Sequence, residues 1–119
     1  ILAAVAIPAY QNYIAKSQVS RVMGEIGSLK TAVEACVLDG KTTAQCTDSW
    51  GATDSNLLTA KPTLTIDATG SGTIVGTFGG NAAADIKTKT LTWTRTVAGS
   101  WSCGTTVTAK YAPTGCPGS

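Results

Sequence analysis

Residues 19–36 of the chain, VSRVMGEIGSLKTAVEAC, carry the pattern that decides the fold. Apolar residues recur there at alternating steps of three and four, which is the spacing of one face of an α-helix. The stripe consists of Val19, Val22, Ile26, Leu29, Val33 and Cys36. Lys30 and Glu34, on the other face, are spaced as in a surface ion pair. We therefore predict an amphipathic helix whose apolar side packs on the rest of the domain.

The predicted helix extends in both directions from this stripe, over residues 1–38. Pro8 lacks an amide hydrogen and should kink or break the helix. Gly24 and Gly27 weaken its middle by about 1 kcal/mol each relative to alanine. Asp39-Gly40 is typical of a helix end with a left-handed glycine cap.

The first seven residues, Ile1–Ile7, are uniformly apolar. They are too few to cross a bilayer, which needs about 20, and no basic region precedes them as in a signal peptide. Two interpretations stay open, the start of a buried helix and the end of a longer membrane helix. No other segment is spare to cover residues 1–19, and an exposed apolar helix indicates a partner.

The second half of the chain is patterned as β-strands. Its clearest strand is KTKTLTWTRTV, residues 87–97, in which Thr occupies every even position while Leu91, Trp93 and Val97 occupy odd ones. A period of two predicts a strand with a hydroxyl-rich solvent face and an apolar core face. The remaining predicted elements are strands at 63–67 and 73–78, a hairpin turn at 98–100 and a returning strand from Trp101.

Together these patterns predict a single α+β domain over residues 1–119. A long N-terminal helix packs on a four-stranded antiparallel sheet, as expected when a helix is followed by consecutive strands. The predicted segments are a helix at 1–38, a polar loop at 39–62, a sheet at 63–105 and a cysteine-bounded loop at 103–116.

The chain has four cysteines and no histidine. A zinc site would need four thiolates at unusual spacings, so we expect two disulfides and an oxidising compartment. Four cysteines permit three pairings, and the sequence does not choose among them. The shortest loops favour Cys36 with Cys46 and Cys103 with Cys116.

Charge and residue inventory argue against two classes of function. The net charge is +2 and only 13% of residues are charged, so strong nucleic-acid binding by a basic face is not expected. Without histidine there is no ordinary catalytic triad or imidazole base, and no phosphate-binding or nucleophile-elbow motif is present. We predict a protein that is not an enzyme and holds no cofactor or metal.

Two separated segments resemble type IV pilins of the a class. Residues 3–13, AAVAIPAYQNY, are similar to the segment that follows the membrane-buried start of these proteins. Thr94-Arg95-Thr96, followed by Trp101-Ser102-Cys103, resembles pseudomonad-type pilins in particular. Residues 111–116, YAPTGC, resemble the end of their C-terminal disulfide loop. Residues 42–85 match no pattern of the family.

The resemblance implies the pilin fold and a structural role in a type IV pilus, a fibre that supports adhesion and twitching motility of Gram-negative bacteria. Pilins are N-methylated, anchored in the inner membrane before assembly, and then packed with other pilin subunits into an extracellular helical fibre. The chain is expected to be N-terminally truncated, because the family's methylated residue and assembly glutamate would precede Ile1. The residues expected to serve assembly are Ile1, Leu2, Val5, Ile7, Pro8, Tyr10 and Ile14.

The resemblance also implies that the loop between Cys103 and Cys116 contacts a host-surface receptor or glycan. The candidate contacts are Thr105, Thr106, Thr108, Lys110, Tyr111 and Pro113. The alternative is a loop that only fastens the chain end to the sheet. Because some relatives carry an O-glycan on a terminal serine, Ser119 is a candidate glycosylation site.

Two other classes of function stay open. A minor pilin or a secretion-system pseudopilin would share the helix, although the tight C-terminal disulfide loop favours a pilin. A free-standing secreted, disulfide-bonded binding module would not need the apolar N-terminus.

Overall fold

The computed structural model describes residues 2–49 and 55–118, with the backbone alone for residues 2–10 and 48–49. Within these residues, helices come first and a four-stranded antiparallel sheet follows, so the predicted α+β class is confirmed. The helices are α1 (Leu2–Gly27), α2 (Lys30–Leu38) and α3 (Thr43–Ser49). The strands are β1 (Thr63–Ile66), β2 (Gly72–Thr77), β3 (Thr90–Arg95) and β4 (Trp101–Thr105).

The strands pair in chain order, β1-β2-β3-β4. Each pair is antiparallel, as short connections between consecutive strands allow. Ile74 of β2 lies opposite Trp93 of β3, and Trp93 lies opposite Cys103 of β4. The β1–β2 turn is held by the Asp67 carboxylate, which accepts hydrogen bonds from the Thr69 amide and the Ser71 hydroxyl at 2.9 and 2.6 Å.

The apolar stripe of the helices forms one side of the core. All six of its predicted members are at most 9% exposed. On the other side lie buried side chains of the sheet and its connections, among them Leu64, Ile74, Phe78, Ile86 and Leu91. Burial of apolar surface, at about 25 cal/mol per Å², therefore fixes the helices on the sheet.

The predicted single helix is interrupted at Ser28 and Leu29, so the prediction of one continuous helix is wrong there. The Leu29 amide bonds to the Ile26 carbonyl, three residues back, which tightens the last turn of α1. Gly27 has the lowest helix propensity apart from proline, and its missing side chain leaves room for the Trp93 indole 3.5 Å from the position of a β-carbon. Gly27 thus allows the Trp93 side chain of the sheet to pack close to the helix backbone.

The helix does not break at Pro8, contrary to the stronger form of that prediction. Helix α1 runs without interruption from Leu2 to Gly27. Pro8 stands near the start of this helix, so the one hydrogen bond that it cannot donate is lost in the second turn.

Helix α3 lies within the segment that we predicted as loop, residues 39–62. Its start is a capping box, in which the Thr42 hydroxyl accepts from the Gln45 amide and the Gln45 side-chain oxygen accepts from the Thr42 amide. A threonine followed three residues later by glutamine was a sequence signal for this helix.

Strand β3 is shorter than the predicted 87–97, covering Thr90–Arg95. Leu91 is fully buried and Trp93 partly buried, as the alternation predicts. Val97 instead lies in the β3–β4 turn and is 65% exposed, so its assignment to the core is wrong. The turn begins at Thr96 and is closed by Gly99, whose φ of +92° suits glycine.

The domain has two ends, which we call the apical and basal poles. The apical pole comprises the end of α2 with residues 37–41, the β1–β2 turn at 67–71 and the β3–β4 turn at 96–100; Val37 lies beside Gly70 there. The basal pole comprises α1 residues 13–23, the connection at 78–89 and the C-terminal loop at 106–118. In the part of the chain that the structure describes, no helix has both the length and the apolar character needed to cross a membrane.

Candidate functional site: the N-terminal helix and the C-terminal disulfide loop

The N-terminal part of α1 precedes the part that the domain buries. Ala15 is the first buried residue among those whose side chains are described, whereas Tyr13 is 70% exposed and Ile14 is half-buried. The helix begins at Leu2, which puts about 20 Å of helix before Ala15. The sequence has no charged residue before Lys16. The segment of α1 that precedes Ala15 is therefore long and uncharged.

Most residues expected to serve assembly fall where side chains are not described. Ile1 lies outside the described residues, and the side chains of Leu2, Val5, Ile7, Pro8 and Tyr10 lie outside them as well. Ile14 is half-buried, on the turn of α1 where contact with the domain begins.

The C-terminal loop is fastened to β4 by two links. Cys103 forms a disulfide with Cys116, with 4.6 Å between the Cα atoms. Beside it, the Thr105 amide donates to the Pro117 carbonyl at 3.1 Å, so the tail occupies part of the outer edge of β4. Gly115 has a φ of +89° in the turn that closes on the cysteine. Covering an edge in this way prevents another strand from pairing there.

The loop exposes half of the residues expected to contact a receptor. Thr105 is 8% exposed and donates to the Thr90 carbonyl, while Tyr111 is 4% exposed and donates to the Asp85 carboxylate at 2.9 Å. Pro113 is buried as well. These three cannot serve as surface contacts of the subunit, because their side chains lie in the domain interior. The exposed candidates are Thr106, Thr108 and Lys110, and Ser119 lies outside the described residues.

The other edge of the sheet, at β1, is covered from the opposite side of the chain. The Thr43 hydroxyl accepts from the Ile66 amide at 2.9 Å and donates to the Ile66 carbonyl at 3.0 Å. Thr43 begins α3, which the disulfide between Cys36 and Cys46 ties to α2. Each disulfide therefore holds a segment that closes one edge of the sheet.

Glu34 on α2 receives hydrogen bonds from two strands. Arg95 donates to its two oxygens at 2.6 and 3.2 Å, and the Trp101 indole donates at 2.7 Å. Arg95 also donates to the Gly70 carbonyl at 2.6 Å, so it links the helix to the β1–β2 turn. The bond from Arg95 is the main cause of a pKa of Glu34 below its ordinary value; burial opposes the shift, and the bond from Trp101 adds to it.

This arrangement corrects the expected pairing of Lys30 with Glu34. The Glu34 carboxylate faces the sheet, whereas the Lys30 ammonium lies 3.8 Å from the centre of the Trp93 ring. The Trp93 indole in turn donates to the Met23 carbonyl at 3.0 Å. Sequence spacing could not reveal these contacts, since every partner lies on a distant strand.

The remaining described surface is rich in hydroxyl groups. Within residues 11–47 and 55–118, no three of His, Cys, Asp or Glu converge as metal ligands would. The outer face of β3 and β4 presents a shallow surface lined by Thr90, Thr92, Thr94, Ser102 and Thr106. At the basal pole, an open groove of about 380 Å³ separates α1 from the C-terminal loop; it is lined by Tyr13, Lys16, Ser17, Ser20, Pro113 and Thr114.

Known proteins resemble the chain over nearly its whole length. The type IV major fimbrial protein FimA of Dichelobacter nodosus is 54% identical, with 98% of this chain and 85% of that protein aligned. A fimbrial protein of Pseudomonas aeruginosa is 38% identical, with 98% and 86% aligned. A crystal structure of a Cs1 pilin chimera superimposes with a TM-score of 0.71 at 28% identity, covering 88% of this chain and 98% of that one.

A sequence model of the pilin family, described as bacterial filament proteins, matches residues 15–117. The match spans both disulfides, the helix stripe and the whole sheet. The helix-on-sheet architecture and the predicted resemblance are thereby confirmed, and a structural rather than enzymatic role comes with them. The chain belongs to the pilin family, the structural subunits of bacterial filaments.

Proposed function

We propose that this chain is the major, repeating subunit of a type IV pilus on the bacterial surface. The observation that carries the proposal is the uncharged helical segment of α1 that precedes Ala15, the first buried residue among those whose side chains are described. Its sequence offers apolar surface whose burial between subunits would stabilise a fibre core. The 54% identity to a major fimbrial protein supports a major over a minor subunit.

The same segment would anchor the subunit in the inner membrane before the subunit enters the fibre. A helix that packs with equivalent helices of neighbouring subunits can be held in the inner membrane before assembly, because its apolar residues suit either surrounding. The globular part, with both disulfides, then faces the oxidising exterior.

Antibodies raised against the globular domain test the major role. We expect gold-conjugated antibodies to label native surface fibres along their entire length in electron micrographs. Labelling confined to fibre tips would point to a minor pilin, and absence of label from the fibres would contradict the proposal.

Adhesion is proposed to use the exposed part of the C-terminal loop, namely Thr106, Thr108 and Lys110. The disulfide and the Thr105–Pro117 hydrogen bond hold this loop in one conformation, which reduces the entropy lost on binding. The receptor is expected to be a host-surface protein or glycan read by hydroxyls, backbone and one cation.

We expect Lys110→Ala to lower adhesion of fibre-bearing cells without lowering fibre number. Lys110 is exposed and its ammonium lies 5.1 Å from the Tyr111 ring centre, so its removal leaves the domain core intact. Cell counts on a host-cell layer measure the effect, with Lys87→Ala as a control for loss of one exposed charge at the same pole. Equal adhesion of wild type and both variants would show that the Lys110 charge does not contribute to adhesion.

A further inference from the structure

The largest exposed apolar side chains lie at opposite poles of the domain. Among residues whose side chains are described, Leu38 is 85% exposed, Tyr13 is 70% exposed and Val97 is 65% exposed. Leu38 ends α2 and Val97 lies in the β3–β4 turn, so both belong to the apical pole. Tyr13 belongs to the basal pole, where it lines the groove between α1 and the C-terminal loop.

The charges of the described residues also differ between the poles. The basal pole exposes Lys16, Lys87, Lys89 and Lys110, together with Arg21, which pairs with Glu25 next to the pole. Its one carboxylate is Asp85, which accepts a bond from Tyr111. At the apical pole the Asp39 and Asp67 carboxylates outnumber the one cation, Lys41, whose ammonium pairs with Asp39 at 3.9 Å. Glu34 and Arg95 neutralise each other there.

One carboxylate of the apical pole, Asp67, is held by hydrogen bonds within the β1–β2 turn. Hydrogen bonds from Ser71 and then Thr69 lower the pKa of Asp67 to about 2, so this carboxylate stays ionised in mild acid. The two poles are complementary in charge and in apolar surface. The basal pole is basic and its groove contains the exposed ring of Tyr13, whereas the apical pole is acidic and exposes Leu38 and Val97.

Two different complementary surfaces on one chain form a heterologous contact, which repeats into a ring or a helical filament. We propose that the apical pole of one subunit docks in the basal groove of a second copy. Leu38 and Val97 then pack against Tyr13, and the apical carboxylates face Lys16, which lines the same groove. This inference rests on the proposed function and names a contact between globular domains in addition to that between N-terminal helices.

In the proposed contact Leu38 is buried between subunits, whereas in the single subunit its apolar side chain is exposed to solvent. Leu38→Asp should lower the thermal unfolding midpoint of the purified chain by about 5 °C or less, because the side chain is 85% exposed and a carboxylate at a helix C-terminus is only weakly destabilising. In the bacterium we expect fibre mass per cell to fall at least tenfold, since the variant places a carboxylate in an apolar contact. Thr31→Asp, an exposed position earlier on α2 outside both poles, is the matched control and should form normal fibres.

Cross-linking locates the contact directly. With Leu38→Cys and Thr114→Cys in one subunit, a short flexible bis-maleimide should convert sheared fibres into a ladder of covalent multimers under denaturing electrophoresis. Each single cysteine variant should give monomers.

The outcomes separate this contact from the proposed function. Normal fibres of Leu38→Asp, equal loss with Thr31→Asp, or monomers alone from the doubly substituted fibres would overturn the contact and leave the pilus role standing. Wild-type fibres that do not contain the chain would overturn the proposed function, and the contact with it.

Discussion

Replacing both Cys103 and Cys116 by alanine should lower the free energy of unfolding by about 3 kcal/mol. The bridge closes a short loop, with a sequence separation of 13, and its removal returns loop entropy to the unfolded chain. Both cysteines lie in the core, at 8% and 0% exposure, so alanine avoids placing a new polar group there. Urea denaturation of the oxidised chain measures the change.

The pair Cys36 and Cys46 provides a matched control, because a sequence separation of 10 gives nearly the same loop entropy, about 3 kcal/mol. The two variants should differ in which sheet edge opens. Amide hydrogen exchange should accelerate at Thr105 when the Cys103–Cys116 bridge is absent, and at Ile66 when the other bridge is absent. A loss below 1 kcal/mol, or the same exchange pattern in both variants, would contradict this assignment of edges.

Arg95→Ala should lower the free energy of unfolding by about 2 kcal/mol, as is typical for hydrogen bonds that involve charged groups. The Arg95 side chain is 11% exposed, and its removal leaves Glu34 with the hydrogen bond from the Trp101 indole. It also frees the Gly70 carbonyl of the β1–β2 turn. Arg21→Ala is the control, since the Arg21 pair with Glu25 is exposed and should contribute less than about 1 kcal/mol.

The charge of Glu34 can be tested as the cause of this stabilisation by comparing the stability of wild type and Glu34→Gln at several pH values. The pKa of Glu34 is lower in the folded chain than its ordinary value of 4.5, so ionised Glu34 stabilises the fold above that pH. This contribution is lost as the pH falls through the folded-state pKa. Wild type should therefore exceed Glu34→Gln in stability at pH 7, and the difference should shrink below pH 4.5. A difference independent of pH would assign the effect to packing alone.

The fold was predictable where a pattern is periodic. The helix stripe from Val19 to Cys36 and the alternation around Leu91 give burial directly, because one face of each element must be covered. Helix α3 was missed because it is short and polar, so no periodic face marks it, and its Thr42–Gln45 capping box was not used. Val97 was misplaced because alternation alone does not show where a strand ends and its turn begins.

The site was less predictable, because its roles depend on partners distant in sequence. Tyr111 was predicted as a surface contact, but its side chain is 4% exposed and its hydroxyl donates to Asp85, 26 residues earlier. Arg95 meets Glu34 across 61 residues. Such contacts depend on the register of the strands and on the position of the helix over the sheet. Composition and periodicity do not determine either of these to the accuracy of one residue.

We propose above all that the chain is the repeating subunit of a type IV pilus. The most direct test of this proposal is deletion of the corresponding gene in the source bacterium, followed by counting surface fibres in electron micrographs and measuring twitching motility. We expect both fibres and motility to disappear and to return when the intact gene is restored. Fibres that persist at wild-type number after the deletion would contradict the account.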